Sequence, residues 1–218
     1  MATKVIGLDF GSRSVKLCES LVTLRTTELI GYDYEDLNTE ANQRPSYEQL
    51  AEAAQKLLTR RGLLQETILC VPPSHMVSFV EITLPFESTK KIDSVMPFEL
   101  DDRIPVDVED VVFDYQVSAQ GEGQTKCMVV YARRSELQAF LDALLEVGID
   151  PREVGFGPMV LSGMPRLKER PTETQLIVDL GHHGTQIAVL SGGSLIFARD
   201  ISMGVSNVLG AYMTAFQV

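Results

Sequence analysis

Two short segments, one near each end of the chain, carry residue types suited to holding a phosphate. In the first, the apolar run Val5-Ile6-Gly7-Leu8 closes on Asp9, Phe10 and Gly11, then turns through Ser12 and Arg13 into Ser14, Val15 and Lys16. In the second, Leu176-Ile177-Val178 closes on Asp179, Leu180 and Gly181, then turns through His182, His183 and Gly184 into Thr185. An aspartate at a strand end can hold a metal-bound water. A glycine permits positive φ and lets backbone come close to a ligand. Amides of the turn can point at an anion, as in other backbone nests. A lysine or threonine on the outgoing strand adds a polar contact. Asp9, Gly11, Ser12, Lys16, Asp179, Gly181 and Thr185 are therefore the candidate phosphate-binding residues. Asp-x-Gly is common in hairpins, so either loop alone says little. Two of them, each inside a strand-turn-strand unit, mark an internal repeat.

Other chemistries find less support. His75, His182 and His183 are too scattered for a Ser/His/Asp arrangement. Paired turn histidines suit either an exposed turn or, when protonated, a phosphate contact. Cys18, Cys70 and Cys127 show no CxxC or Cys/His spacing, and each sits in a strand-like run, so three reduced core thiols are expected. No catalytic residue and no metal cluster is expected. A formal net charge of −11 argues against sequence-independent nucleic-acid binding, which needs Lys and Arg against phosphates. Glu99, Asp101, Asp102, Asp107, Glu109 and Asp110 form a close acidic series, read either as a solvated face or as a surface that steers a basic partner.

The elements that position these residues follow from periodicity. Alternation predicts strands at Lys4–Phe10, Ser14–Ser20 and Leu24–Tyr34, a meander around the first loop. Leu50, Ala53, Ala54, Leu57 and Leu58 predict a helix over Tyr47–Arg61, capped by Ser46 and stopped by Gly62. Strands follow at Thr67–Val71 and Met76–Leu84. A helix over Ser88–Arg103 contains Pro97, expected to mark a kink or a late start. Strands at Asp110–Ser118 and Thr125–Arg133 flank a loop at 120–123, and a helix covers Arg134–Val147. Gly157 to Pro171 reads as a loose crossover. Strands at Gln175–Leu180, Thr185–Leu190 and Ser194–Ser202 then repeat the meander, and a helix from Ser206 to Phe216 follows. No run approaches the roughly 18 to 20 apolar residues of a membrane span.

With both loops placed, the chain resembles the actin-like superfamily, in the branch of the type IV pilus protein PilM and the type II secretion protein GspL. Gly7 to Lys16 is similar to that family's first phosphate loop, and Asp179 to Thr185 to its second. Ile104-Pro105-Val106 and Val112 to Tyr115 resemble part of its inserted subdomain. Phe197 to Ile201 with Gly204 resembles the strand before the second domain's first helix. The resemblance implies an α/β, ribonuclease H-like fold of duplicated mixed sheets, with an inserted α+β subdomain and a truncated second half. It divides the chain into 1–64 with 134–165, an insert at 66–133, and the start of a second domain at 172–218.

That branch implies a scaffold without catalysis. By resemblance to GspL, the chain would dock the N-terminal domain of a secretion ATPase and inner-membrane platform proteins, without a cofactor, and a homodimer is allowed. The acidic series would then be the docking surface. A PilM-like protein would instead bind ATP and Mg and grip the N-terminal peptide of an inner-membrane partner. Either role implies the cytoplasmic side of a bacterial inner membrane, with the membrane anchor outside this chain. The family's adenosine-binding glycine loop would fall beyond Val218.

Overall fold

A computed structural model describes residues 2–37, 43–163 and 173–217. The first meander is β1 (Thr3–Phe10), β2 (Ser14–Val22) and β3 (Thr27–Asp36), with Asp9 opposite Lys16 and Leu8 opposite Leu17. Helix α1 (Tyr47–Arg61) carries the chain back to β4 (Thr67–Val71), which pairs parallel to β1. A two-residue strand, β8 (Glu153–Val154), adds outside β4, giving the order β3-β2-β1-β4-β8. The first sheet thus includes β4, which the sequence division had put in the insert.

Ser46 caps α1 as expected. The Gln49 amide donates to Ser46 Oγ at 3.3 Å, and the Ser46 amide donates to Gln49 Oε1 at 2.9 Å. Gly62 ends the helix at φ 69°, a left-handed conformation that favours glycine. The stripe Leu50, Ala54, Leu57 and Leu58 packs with Ile6, Leu8 and Phe10 of β1. Helix α3 (Arg134–Glu146) closes the same core through Phe140, whose ring meets Phe10 edge to face at 5.0 Å. Each such fully buried side chain contributes about 1.5–3 kcal/mol, so this core fixes where β1 ends and the first loop begins.

A second sheet, β5 (Val77–Leu84), β7 (Gln124–Arg133) and β6 (Val111–Gly121), is antiparallel in the order β5-β7-β6. It packs on α2 (Thr89–Asp101) through Ile82, Leu84, Ile92, Met96, Leu100 and Val129. The helix begins at Thr89, so Pro97 lies inside it and does not mark its start. The hairpin is tighter than the sequence suggests. Only Glu122 and Gly123 turn, with φ of 56° and 76°, as a two-residue turn of matching twist requires.

The chain crosses through α4 (Gly157–Leu161), a short helix where a loose loop was expected. The third sheet is β9 (Gln175–Leu180), β10 (Thr185–Ser191) and β11 (Ser194–Ile201), followed by α5 (Val205–Phe216). Its inner residues Ala188, Leu190 and Leu195 pack with Met128 of β7 and Met159 of α4. Leu176, Val178 and Leu180 on the other side of β9 are exposed. The expected boundary between 165 and 172 lies outside the described residues.

Cys70 and Cys127 are buried, and Cys18 is exposed. The alternation of β2 turns Val15 and Leu17 inward, which leaves Cys18 beside Lys16 on the outer face. The inward place after Leu17 goes to Glu19, held by Arg61 of α1 and by Lys4 at 3.9 Å.

Candidate functional site

Where the two meanders meet, their loops line one cleft of about 350 Å³. That volume is within the range of small-molecule sites, roughly 300–1,000 Å³. Asp9 and Lys16 face it from β1 and β2, Gly11 and Ser12 from the turn between them, and Asp179 and Gly181 from the end of β9 and the turn after it.

The loops are copies of one another in hydrogen bonding. The Gly11 amide donates to the Ser14 carbonyl at 3.2 Å, and the Gly181 amide to the Gly184 carbonyl at 2.9 Å. A Cβ on Gly11 would lie 2.9 Å from Ser14 O, and one on Gly181 would lie 2.9 Å from Gly184 O. Neither glycine adopts positive φ, contrary to expectation. The backbone instead folds against itself so closely that no side chain fits.

Lys16 Nζ donates to Asp9 Oδ2 at 2.7 Å. The second loop departs from this pattern. Thr185 is not among the cleft-lining residues, because its hydroxyl donates to the Met203 carbonyl at 2.6 Å. The register puts Gln186 opposite Asp179, where the first loop puts Lys16 opposite Asp9. Gln186 also faces Asp200 on β11, and both line the cleft. The Gln186 side chain hydrogen-bonds the Asp200 carboxyl group, whose pKa is raised by burial and only partly brought back by that bond. Neither residue was singled out in the sequence. Aligning Gly11 with Gly181 would have revealed Gln186, and the β-period from it would have pointed to Asp200.

The histidine pair is half-buried, not an exposed turn. The Gly181 carbonyl accepts from the Val205 amide at 3.0 Å, and the His182 carbonyl from the Ser206 amide at 2.9 Å. Ser206 Oγ donates its one proton to His182 O at 2.8 Å and contacts His183 Nδ1 at 3.1 Å. That nitrogen therefore carries hydrogen in this contact. The turn thus consumes the first amides of α5 and anchors the helix. Burial, His183 and Arg13 hold the His182 pKa down, which opposes a protonated, phosphate-binding role. At the other rim, His75 is lowered by burial and by Arg44, with Glu136 opposing.

The acidic series lies outside the cleft, at the end of α2 and in the loop to β6. Asp101 Oδ1 accepts from the Val108 amide at 2.9 Å, so this carboxylate shapes the loop. Asp102, Asp107, Glu109 and Asp110 are exposed, and Glu99 is half-buried. Among the described residues, no three or more His, Cys, Asp or Glu side chains cluster to hold a metal ion, and no helix is long and apolar enough to cross a membrane.

A family model described as type IV pilus assembly protein PilM matches residues 7–218. Among solved structures, a chain of the PilM–PilN type IV pilus biogenesis complex is 21% identical with a TM-score of 0.82. That likeness covers 98% of this chain and 66% of the other, so this chain spans just under two-thirds of that relative's length. The cytoplasmic domain of EpsL, an inner-membrane component of the type II secretion system of Vibrio cholerae, is 18% identical with a TM-score of 0.57. It is matched over 92% of this chain and 71% of its own. No curated protein sequence matches. The duplicated meanders around one cleft and these likenesses establish the actin-like fold. With its family match running over nearly the whole chain, this protein belongs to the PilM family of type IV pilus assembly proteins.

Proposed function

We propose that the chain is a nucleotide-responsive docking protein of a type IV pilus machine. Its cleft takes the phosphate end of ATP with Mg, and its surface receives a segment of an inner-membrane partner on the cytoplasmic side. The observation that carries this reading is the pair of mirrored loops, each bent so tightly at Gly11 or Gly181 that only glycine fits, set around a single cleft. Lys16 supplies an ammonium, and Arg13 and Arg44 add cations in an otherwise acidic protein. The partner follows from the PilM–PilN complex that the fold resembles. Docking without turnover fits a cleft in which Asp9 is already paired with Lys16.

A melting assay tests the reading. Mg-ATP at about 100 times its dissociation constant should add roughly 2.7 kcal/mol of stability, with no accumulation of ADP. An unmoved melting curve, or steady turnover, contradicts it.

The acidic loop favours a second reading, in which the chain docks the N-terminal domain of a secretion ATPase as a GspL-like scaffold. Four exposed carboxylates stand on a loop that Asp101 holds in shape, beside an exposed Phe98. Asp102→Lys with Glu109→Lys leaves that internal bond intact. The double variant should abolish capture of the ATPase domain at low salt, and undiminished capture removes this surface from the account.

A further inference from the structure

Among the described residues, Asp200 lines the cleft with a buried carboxylate oxygen left unmet. Its Oδ2 is buried and has no hydrogen-bond partner among the described residues. Nor does Asp200 take part in any ion pair there, whereas Asp9 has Lys16 at 2.7 Å. An unmet buried carboxylate oxygen is costly, and native proteins keep few of them.

The mirror relation between the loops explains how the gap arises. In the first meander, the residue opposite the loop aspartate is a lysine. In the second it is Gln186, which is neutral and turns to Asp200. Gln186 is held from behind, because a Cβ on Gly157 at the start of α4 would run into its side-chain amide. One side of the Asp200 carboxyl group is thereby committed, and the other is free and without a counter-charge. The first lobe offers a cation to the cleft, and the second offers a carboxylate that lacks one.

We propose that Asp200, aligned by Gln186, positions the divalent cation that accompanies a phosphate ligand in this cleft. The inference rests on the nucleotide-binding reading above. The residues present suit magnesium, which is usually held by one or two carboxylates together with substrate phosphates and retained waters. No cluster of three or more protein ligands stands ready for a bare ion among the described residues, so the ligand's own oxygens must complete the shell. A cation would also relieve the burial that now disfavours the charged Asp200.

Calorimetric titration of ATP, in magnesium and in EDTA, separates the possibilities. For the wild-type chain, magnesium should tighten binding. For Asp200→Asn, which keeps the shape and can still meet Gln186, the ratio of the two dissociation constants should fall about tenfold, the size of an ordinary coupling between two ligands. Spin resonance of Mn2+ with ATP should show the same loss of cation retention. If Asp200→Asn keeps the full magnesium ratio while the wild type binds ATP, this inference fails and the nucleotide reading stands. If the wild type binds no ATP in either buffer, both fail. If the wild type hydrolyses ATP and Asp200→Asn stops it with the cation ratio intact, Asp200 is a proton acceptor and the positioning role is overturned.

Discussion

At the level of single residues, the cleft shows how register decides roles that residue type only suggests. Thr185 and Lys16 both follow an Asp-x-Gly turn, yet only Lys16 reaches the cleft, because Thr185 stands one place earlier in the repeat and bonds Met203. Gln186 and Asp200 carry no sequence signal of their own, because neither belongs to a motif. Their significance comes from facing each other across two strands. Cys18 departs from the expected core thiol for a related reason: the two-residue period of β2, not its apolar neighbourhood, sets its side and puts it outside with Lys16. His75 allows a prediction at this scale. Burial and Arg44 lower its pKa in the folded chain, with Glu136 opposing. The unfolded chain therefore takes up this proton first, and the stability linked to neutral His75 is present above about pH 6.5 and lost as pH falls. Urea unfolding at pH 7.5 and pH 5 should show a smaller acid loss for His75→Gln than for the wild type, and equal losses would remove His75 from the pH response.

Among the elements, those with complete start and stop signals were legible. Helix α1 carries a cap, an apolar stripe and a terminal glycine, and the structure places it at the predicted Tyr47–Arg61. Strand β8 and helix α4 were not legible: two and five residues are too few for any period to show, and both exist because their neighbours pair with or cover them. The histidine turn shows the same dependence, since its carbonyls are set by the start of α5. Contact between α1 and β2 also decides the fate of Glu19, a carboxylate only 6% exposed. Arg61→Ala would leave it with Lys4 alone at 3.9 Å. Losing one partner of a buried pair costs about 3–5 kcal/mol, and the partial exposure of Arg61 reduces this to about 2 kcal/mol. Chemical denaturation should register that loss, while Arg60→Ala, whose Asp33 and Glu35 partners lie near the surface, should leave the unfolding midpoint almost unmoved.

For the whole molecule, the sequence repeat carried more than any single motif. Two loops separated by most of the chain predicted two similar sheets, and the structure brings both to one cleft. Their sharing of a ligand is the step on which the functional account depends. Titration of Mg-ATP into the wild type and into Gly11→Ala and Gly181→Ala, each checked as folded by its melting curve, tests it most directly. A Cβ at either position must displace a carbonyl now 2.9 Å away, which distorts that loop alone. The account predicts one site per chain, weakened about tenfold or more by either substitution. Binding that is indifferent to one of the two glycines, or two separate sites, would contradict it.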